Sequence, residues 1–265
     1  MNRFSSQILI GLALLMVLPL PAEAQEAGAS AAAAQANNPL ANTKAFNIQG
    51  YVITELTDID KNANQLLFRY AAPMRLGSSN WLVRATMPIN QFPIGPDLNT
   101  RSGPGDFDVF AAYLFDTGDP AVSFGIGPQV VIPTASPQGL GSEQYQLGLA
   151  TVYFNAKSPV LQYGFLGIYR TGVGDTSDRE RVNLFAFQPF AFLQLGNGWY
   201  SGMAPVWTYD FTSKDYTIPV GIRLGKVWQS GGTTFNLFLE PQLSIADAGA
   251  GLPEKQLFLA LNMQF

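Results

Sequence analysis

The chain ends in Lys255-Gln256-Leu257-Phe258-Leu259-Ala260-Leu261-Asn262-Met263-Gln264-Phe265, and the order of residue types there is its strongest structural signal. Leu257, Leu259, Leu261, Met263 and Phe265 recur at every second position. Successive side chains of a β-strand point to opposite faces, so these five share one face. Gln256, Ala260, Asn262 and Gln264 share the other, with Phe258 as an apolar exception. A soluble edge strand built this way would template aggregation. Two environments can take the apolar face: the core of a soluble sheet, or lipid.

Residues 1–24 favour an exported chain. Arg3 supplies a short positive region, and an apolar run from Ile8 to Leu20 follows. Ala22-Glu23-Ala24 is a small-x-small cleavage site, which makes Gln25 the first mature residue. The run is shorter than the roughly 20 apolar residues of a membrane-spanning helix. No later stretch qualifies as one. If the mature chain enters a membrane, it must therefore do so as a closed barrel, because only helices and barrels satisfy every backbone group in lipid.

Composition narrows the chemistry. Cysteine and histidine are both absent. No thiol nucleophile, zinc-thiolate site, imidazole metal site or Ser-His pair can exist, so metal, cofactor and histidine-dependent enzyme chemistry are not expected. Charged residues make up 13% of the chain, against roughly 25% in ordinary soluble proteins. The net charge is −4, with no basic stripe, which argues against nucleic acid as a partner. Residues 25–45 are rich in alanine and show no apolar periodicity. They read as a mobile periplasmic linker with no face to bury. Residues 46–265 read as one domain.

That domain holds twelve candidate strands, with ten or fourteen as the alternative counts. They are Phe46 to Glu55, Leu66 to Arg75, Trp81 to Asn90, Asp106 to Asp116, Ala121 to Ile132 and Tyr145 to Asn155. The second half runs Val160 to Thr171, Val182 to Leu195, Trp199 to Tyr209, Asp215 to Trp228, Thr233 to Leu243 and Lys255 to Phe265. Short connections such as Gly77 to Asn80 and Gly196 to Gly198 carry residues that tolerate φ > 0. They alternate with longer ones, Gln91 to Gly105, Pro133 to Glu143 and Gly172 to Arg181 among them. Short turns on one rim and long loops on the other, with an even strand count, describe an all-β, up-and-down transmembrane barrel of the outer-membrane type. The terminal Phe265, with Met263 and Leu261, then reads as the signal recognised by the barrel-assembly machinery. Trp81, Trp199, Tyr200 and Trp228 beside the short turns read as an aromatic girdle. Seven prolines fall inside the strands: Pro73, Pro88, Pro128, Pro189, Pro205, Pro219 and Pro241. Each removes a ladder donor, so bulges or strand ends are the expected places for them.

Several pieces also carry a family resemblance. They are Trp81-Leu82-Val83-Arg84 with Pro88, Ser102-Gly103-Pro104-Gly105-Asp106, Gly125-Ile126-Gly127-Pro128, Gln188-Pro189-Phe190, Trp207-Thr208-Tyr209-Asp210 and Ile218-Pro219-Val220. In this order the chain resembles the bacterial outer-membrane proteins described as phenol meta-pathway degradation-like, some of which are mislabelled neuromedin U. The resemblance runs from about Asn38 to the C-terminus. It implies a transporter-like barrel in contact with outer-membrane lipids, for small and in some members aromatic or apolar solutes. It brings no catalytic residues.

The inward phase of the strands carries Arg69, Arg84, Arg170 and Arg223, with Asp106, Asp108 and Glu240. Such a lining either selects a solute or forms an ion-pair network that props the barrel. Phe110, Phe154, Phe190, Phe192 and Phe238 fall inward as well, either as contacts for an apolar solute or as filling. Glu55 and Asp116 join the inward carboxylates on the same register. Asp58-Ile59-Asp60-Lys61-Asn62 begins like a calcium loop but has Ala63 at the sixth place and Arg69 at the twelfth, so it reads as a plain loop. Three classes of function remain: a small-solute channel or transporter of the outer membrane, a barrel enzyme, disfavoured by the missing histidine, and a structural or adhesive barrel with a closed lumen.

Loop alternation generates a topology test. Tags placed in 91–105 and 133–143 are expected to be labelled from outside intact cells, and tags in 77–80 to stay protected. Labelling of the short turns instead would invert the orientation.

Overall fold

The computed structural model describes residues 35–174 and 179–265. The proposed signal, the first ten residues of the linker and residues 175–178 of one loop lie outside the described residues. The described chain forms β1 (Ala45–Leu56), β2 (Ala63–Leu76), β3 (Ser79–Ile94), β4 (Asn99–Pro104), β5 (Phe107–Phe115), β6 (Val122–Ile132), β7 (Tyr145–Asn155) and β8 (Leu161–Val173). It continues with β9 (Asn183–Gly196), β10 (Trp199–Met203), β11 (Trp207–Asp210), β12 (Tyr216–Gly221), β13 (Arg223–Ser230), β14 (Thr233–Ala248) and β15 (Pro253–Gln264). Every pairing is antiparallel, and β1 pairs with both β2 and β15, so the sheet closes on itself. β4 with β5, β10 with β11, and β12 with β13 are each one interrupted stave. The fifteen segments thus make twelve staves, the number read from the sequence.

Alternation along the staves sorts the side chains. On β15 Phe258 and Ala260 are buried, while Leu257, Leu259, Leu261 and Met263 stand half-exposed on the outside. On β14 Asn236, Phe238, Glu240 and Gln242 are buried, and Leu239 and Leu243 are exposed. Leu147, Leu149, Tyr163 and Leu193 extend the apolar exterior around the ring. A closed barrel that is apolar outside and partly polar inside is a membrane-spanning barrel, the architecture of the bacterial outer membrane. Tight turns join staves at the rim that carries both ends of the barrel. Asn197 and Gly198 sit at φ 50° and 73° there, values that asparagine and glycine tolerate best.

Two expectations about the wall are corrected. Tyr200 does not join a girdle. It points inward, is completely buried, and donates its hydroxyl to Asn236 Oδ1 at 2.8 Å. The other three indoles stay near the rim: Trp81 packs edge-on against Tyr113, Trp228 stacks on Phe235, and Trp199 is exposed. The prolines, in turn, mostly avoid bulges. Pro73, Pro88, Pro128, Pro189 and Pro241 have ladder partners in continuous register, and only Pro219 sits at a register shift.

Pro205 lies where the wall is interrupted. β10 pairs with β13 as far as Gly202 and Arg223, and β11 pairs with β12 from Thr208 and Thr217. Residues 203–207 and 218–222 between them form no rungs with each other. Side chains take over the missing bonds. Trp207 Nε1 donates to Pro219 O across the break (2.9 Å), Gln188 Nε2 donates to Ala204 O (2.8 Å), and Ala204 N donates to Glu240 Oε1 (3.1 Å). In lipid an unpaired backbone group costs several kcal/mol, so these substitutes keep the interrupted seam intact.

The largest departure concerns residues 35–44. They do not hang free as a tether; they fold into the lumen. Ala36, Asn38, Leu40 and Ala41 are buried, and Ala36 and Leu40 join the core of inward side chains. Asn38 makes a local turn by accepting from Leu40 N (2.9 Å), and its Nδ2 donates to Ser123 Oγ on β6 (3.1 Å). From β14, Asn236 Nδ2 donates to Asn37 Oδ1 (3.0 Å). The segment therefore spans from one wall to another and occludes the barrel. Alanine fits there because large inward side chains, Phe190, Phe192, Phe238 and Phe258 among them, take up the space around the segment. Nothing in local periodicity signals this, because the face that covers the segment comes from distant staves.

Packing inside is tight enough to test. A Cβ at Gly225 would overlap the Tyr200 ring. Gly225→Ala is expected to destabilise the folded barrel by about 1–3 kcal/mol. Urea unfolding in detergent micelles, followed by heat-modifiable mobility, measures it, and an unchanged midpoint would show that Tyr200 has room to move.

Candidate lumenal site

Between the N-terminal segment and the wall lies a cavity of about 140 Å³. Arg69 on β2, Arg84 on β3 and Arg223 on β13 line it together with Phe190, Phe192 and Phe238. All lie on the inward phase read from the sequence. Arg84 stands opposite Ala71, two residues from Arg69 on the same face, so the two guanidinium groups are diagonal neighbours.

The arginines differ in what they touch. Arg223 is only 5% exposed, and its Nε donates to Glu240 Oε2 at 2.7 Å. Its guanidinium also sits over the Phe238 ring, 3.7 Å from the centroid. Glu240 is completely buried and accepts two further bonds, from Ala204 N and from Gln242 Nε2 at 2.9 Å. This pair is a strut: it joins three staves behind the break in the wall. Arg69 Nη1 donates to Gln49 Oε1 (2.6 Å), and Gln49 Nε2 donates in turn to Asn262 Oδ1 (3.0 Å). Arg84 lies over the Phe110 ring at 4.3 Å. Arg170 on β8 sits opposite Gly148, where a Cβ would overlap its own. Among the described residues, Arg223 is the only one of the four with a carboxylate within ion-pair distance. The buried Nε atoms of Arg69, Arg84 and Arg170 have no hydrogen-bond partner.

The carboxylates divide in the same way. Asp108 accepts from Gln129 Nε2 at 3.3 Å inside the barrel. Asp106, at the junction of β4 and β5, is a loop anchor rather than a contact of the cavity. It accepts from Ser142 N (2.6 Å), Ser142 Oγ (2.8 Å) and Ala135 N (3.3 Å), and so holds the 133–144 loop at the mouth. Glu55 and Asp116 do not belong to the lumen. Glu55 pairs with Lys255 in solvent, and Asp116 Oδ1 accepts from Gly118 N in a turn. The lumen is thus more cationic than the sequence count suggests.

The inward phenylalanines also split. Phe110 and Phe154 are fully buried filling. Phe190 and Phe192 stack in parallel, 7° apart with centroids at 6.0 Å, and present an edge of the pair to the cavity. Phe258, the apolar exception of the last strand, stacks on Tyr51 at 4.3 Å and meets Phe238 edge-on at 5.1 Å. Sequence reasoning did not single out Ala36 to Asn38, Gln49 or Gln188, and it gave Asn236 and Asn262 a face but no role. The amides share the inward phase and were legible as lining; the N-terminal segment was not. Met263 and Leu261 face outward, and the exposed Phe265 donates its backbone N–H to Lys44 O at 2.9 Å. Among the described residues no cluster of acidic side chains is arranged for a metal, the 58–62 loop included.

Fold and lining together define an outer-membrane β-barrel with an occluded, cationic lumen. Two solved structures are similar to it. The COG4313 outer membrane channel from Pseudomonas putida F1 is 12% identical, with a TM-score of 0.66 over 86% of this chain and 97% of that one. The NanC porin is 10% identical, with a TM-score of 0.52 over 83% and 98%. At these identities the likeness is one of fold. No protein-family model matches the chain, and no curated protein matches it by sequence.

The Arg223–Glu240 strut has a measurable value. Glu240→Ala leaves a buried guanidinium unpaired and is expected to cost about 3–5 kcal/mol. Arg223→Met combined with Glu240→Gln, which keeps an acceptor for Ala204 N, should recover most of that in the same unfolding experiment. A single substitution without effect would mean that the phenyl rings alone hold Arg223.

Proposed function

We propose that the protein is an outer-membrane channel for small anionic solutes, closed by its own N-terminal segment. One observation carries this reading: Arg69, Arg84 and Arg170 lie on the inward phase with no carboxylate within ion-pair distance, and Arg69 and Arg84 line the space beside the N-terminal segment. A charge kept in a narrow lumen without a partner is a means of selecting counter-ions. The fold shared with a Pseudomonas putida outer membrane channel and with a porin supports it. The resemblance to phenol meta-pathway degradation-like barrels adds aromatic or apolar compounds as the solute class. Insertion through the barrel-assembly machinery, read from Phe265, belongs to the same proposal.

Occlusion by residues 35–44 favours a second reading, a structural barrel that never conducts. Planar-bilayer recordings separate the two. A mature chain lacking 25–44 is expected to conduct several-fold more than the full mature chain and to prefer anions. Arg84→Gln with Arg170→Gln should shift its reversal potential toward cations. A folded, truncated barrel that stays closed would favour the structural reading, and unchanged selectivity would remove the arginines from the path.

A further inference from the structure

We infer that the 140 Å³ cavity is a binding site for a small organic monocarboxylate, with the N-terminal segment as its floor. The inference deepens the channel reading and rests on it for the route by which solute reaches the lumen. Size comes first. A buried cavity of roughly 150 Å³ lined by apolar side chains accepts a benzene ring. The space here, which is partly open and partly polar in its lining, has room for one ring or a body of similar bulk.

Charge comes next. No carboxylate lines the cavity, while three guanidinium groups do. Glu240 already occupies Arg223. The guanidinium groups without a carboxylate are on the β2–β3 side, where Arg69 and Arg84 line the cavity from diagonally neighbouring positions. Two oxygens of one carboxylate match two donors so placed, and charge-assisted bonds of this kind are the strong ones. Across the cavity stand Phe190, Phe192 and Phe238, which offer ring surface and no acceptor. One end of the ligand is therefore anionic and the other apolar. Inorganic phosphate would leave those rings without a partner.

The floor gives the site a consequence. Ala36 and Asn37 line it, and Asn37 is held by Asn236. A ligand that needs this floor binds only while the segment is seated. By linkage it then favours the closed barrel: at a free concentration ten times Kd, the ratio of closed to open rises about elevenfold. The solute class that fits the cavity would thus slow its own passage when abundant.

Titration of the full mature chain in detergent micelles, followed by calorimetry, is the test. Benzoate and cyclohexanecarboxylate are expected to bind one to one, and benzyl alcohol and inorganic phosphate not to. Arg69→Gln and Arg84→Gln should each weaken benzoate at least about tenfold, the usual worth of a charged hydrogen bond. Arg75→Gln, an equal charge change at the exposed rim, should leave it unaltered. Ala36→Phe fills the floor while every arginine remains, and it should abolish binding even if an arginine variant fails to fold. Equal binding of benzyl alcohol, or benzoate binding undiminished in Ala36→Phe, would overturn the inference. So would benzoate failing to bind the full chain. The titration needs no conductance, so a barrel that binds benzoate yet never conducts would remove the channel reading alone.

Discussion

In lipid no water pairs a bare backbone group, and everything else in this barrel follows from that constraint. A sheet in a bilayer must have no edge, so β1 and β15 are obliged to meet. Where the chain cannot supply rungs, other groups must. The break between 203–207 and 218–222 falls at Pro205 and Pro219, residues without an N–H to give. Trp207, Gln188 and Glu240 bond to backbone groups there. Glu240 is therefore both a ladder substitute and the partner of Arg223. That double duty explains a carboxylate with no exposure at all.

Twelve staves make a narrow tube, and narrowness sets the interior. Large inward side chains fill it: Phe110 and Phe154 on one side, Tyr200, Phe238 and Phe258 on the other. Gly225 stands where Tyr200 needs space, so small and large residues alternate around the ring. The segment from Gln35 to Lys44 takes the space that remains and binds by amide contacts to opposite walls, Ser123 on β6 and Asn236 on β14. Those few neutral bonds are worth roughly 0.5–1.5 kcal/mol each, a scale on which seating of the segment can be reversible.

Strand number, stave order and most of the inward phase were legible in the sequence; Tyr200, Glu55 and Asp116 were misread. Period-two alternation depends only on neighbouring residues, and closure in lipid leaves one arrangement for strands joined by alternating short and long connections. The inward arginines followed from the same phase, because a charge on the lipid face costs about 2–4 kcal/mol near the midplane. What each inward residue touches was not legible. Arg223 and Glu240 are close because of stave register, Asp106 bonds to a loop from the interruption between β4 and β5, and Tyr200 faces inward opposite to Trp199, where Gly225 leaves its ring room. The alanine-rich stretch reads as featureless by every local rule, since its burying face belongs to staves up to 229 residues away. Local alternation determined the barrel. Only contacts between residues distant in sequence decided that its lumen would be filled, by which segment, and which arginines would be left facing the space that remains.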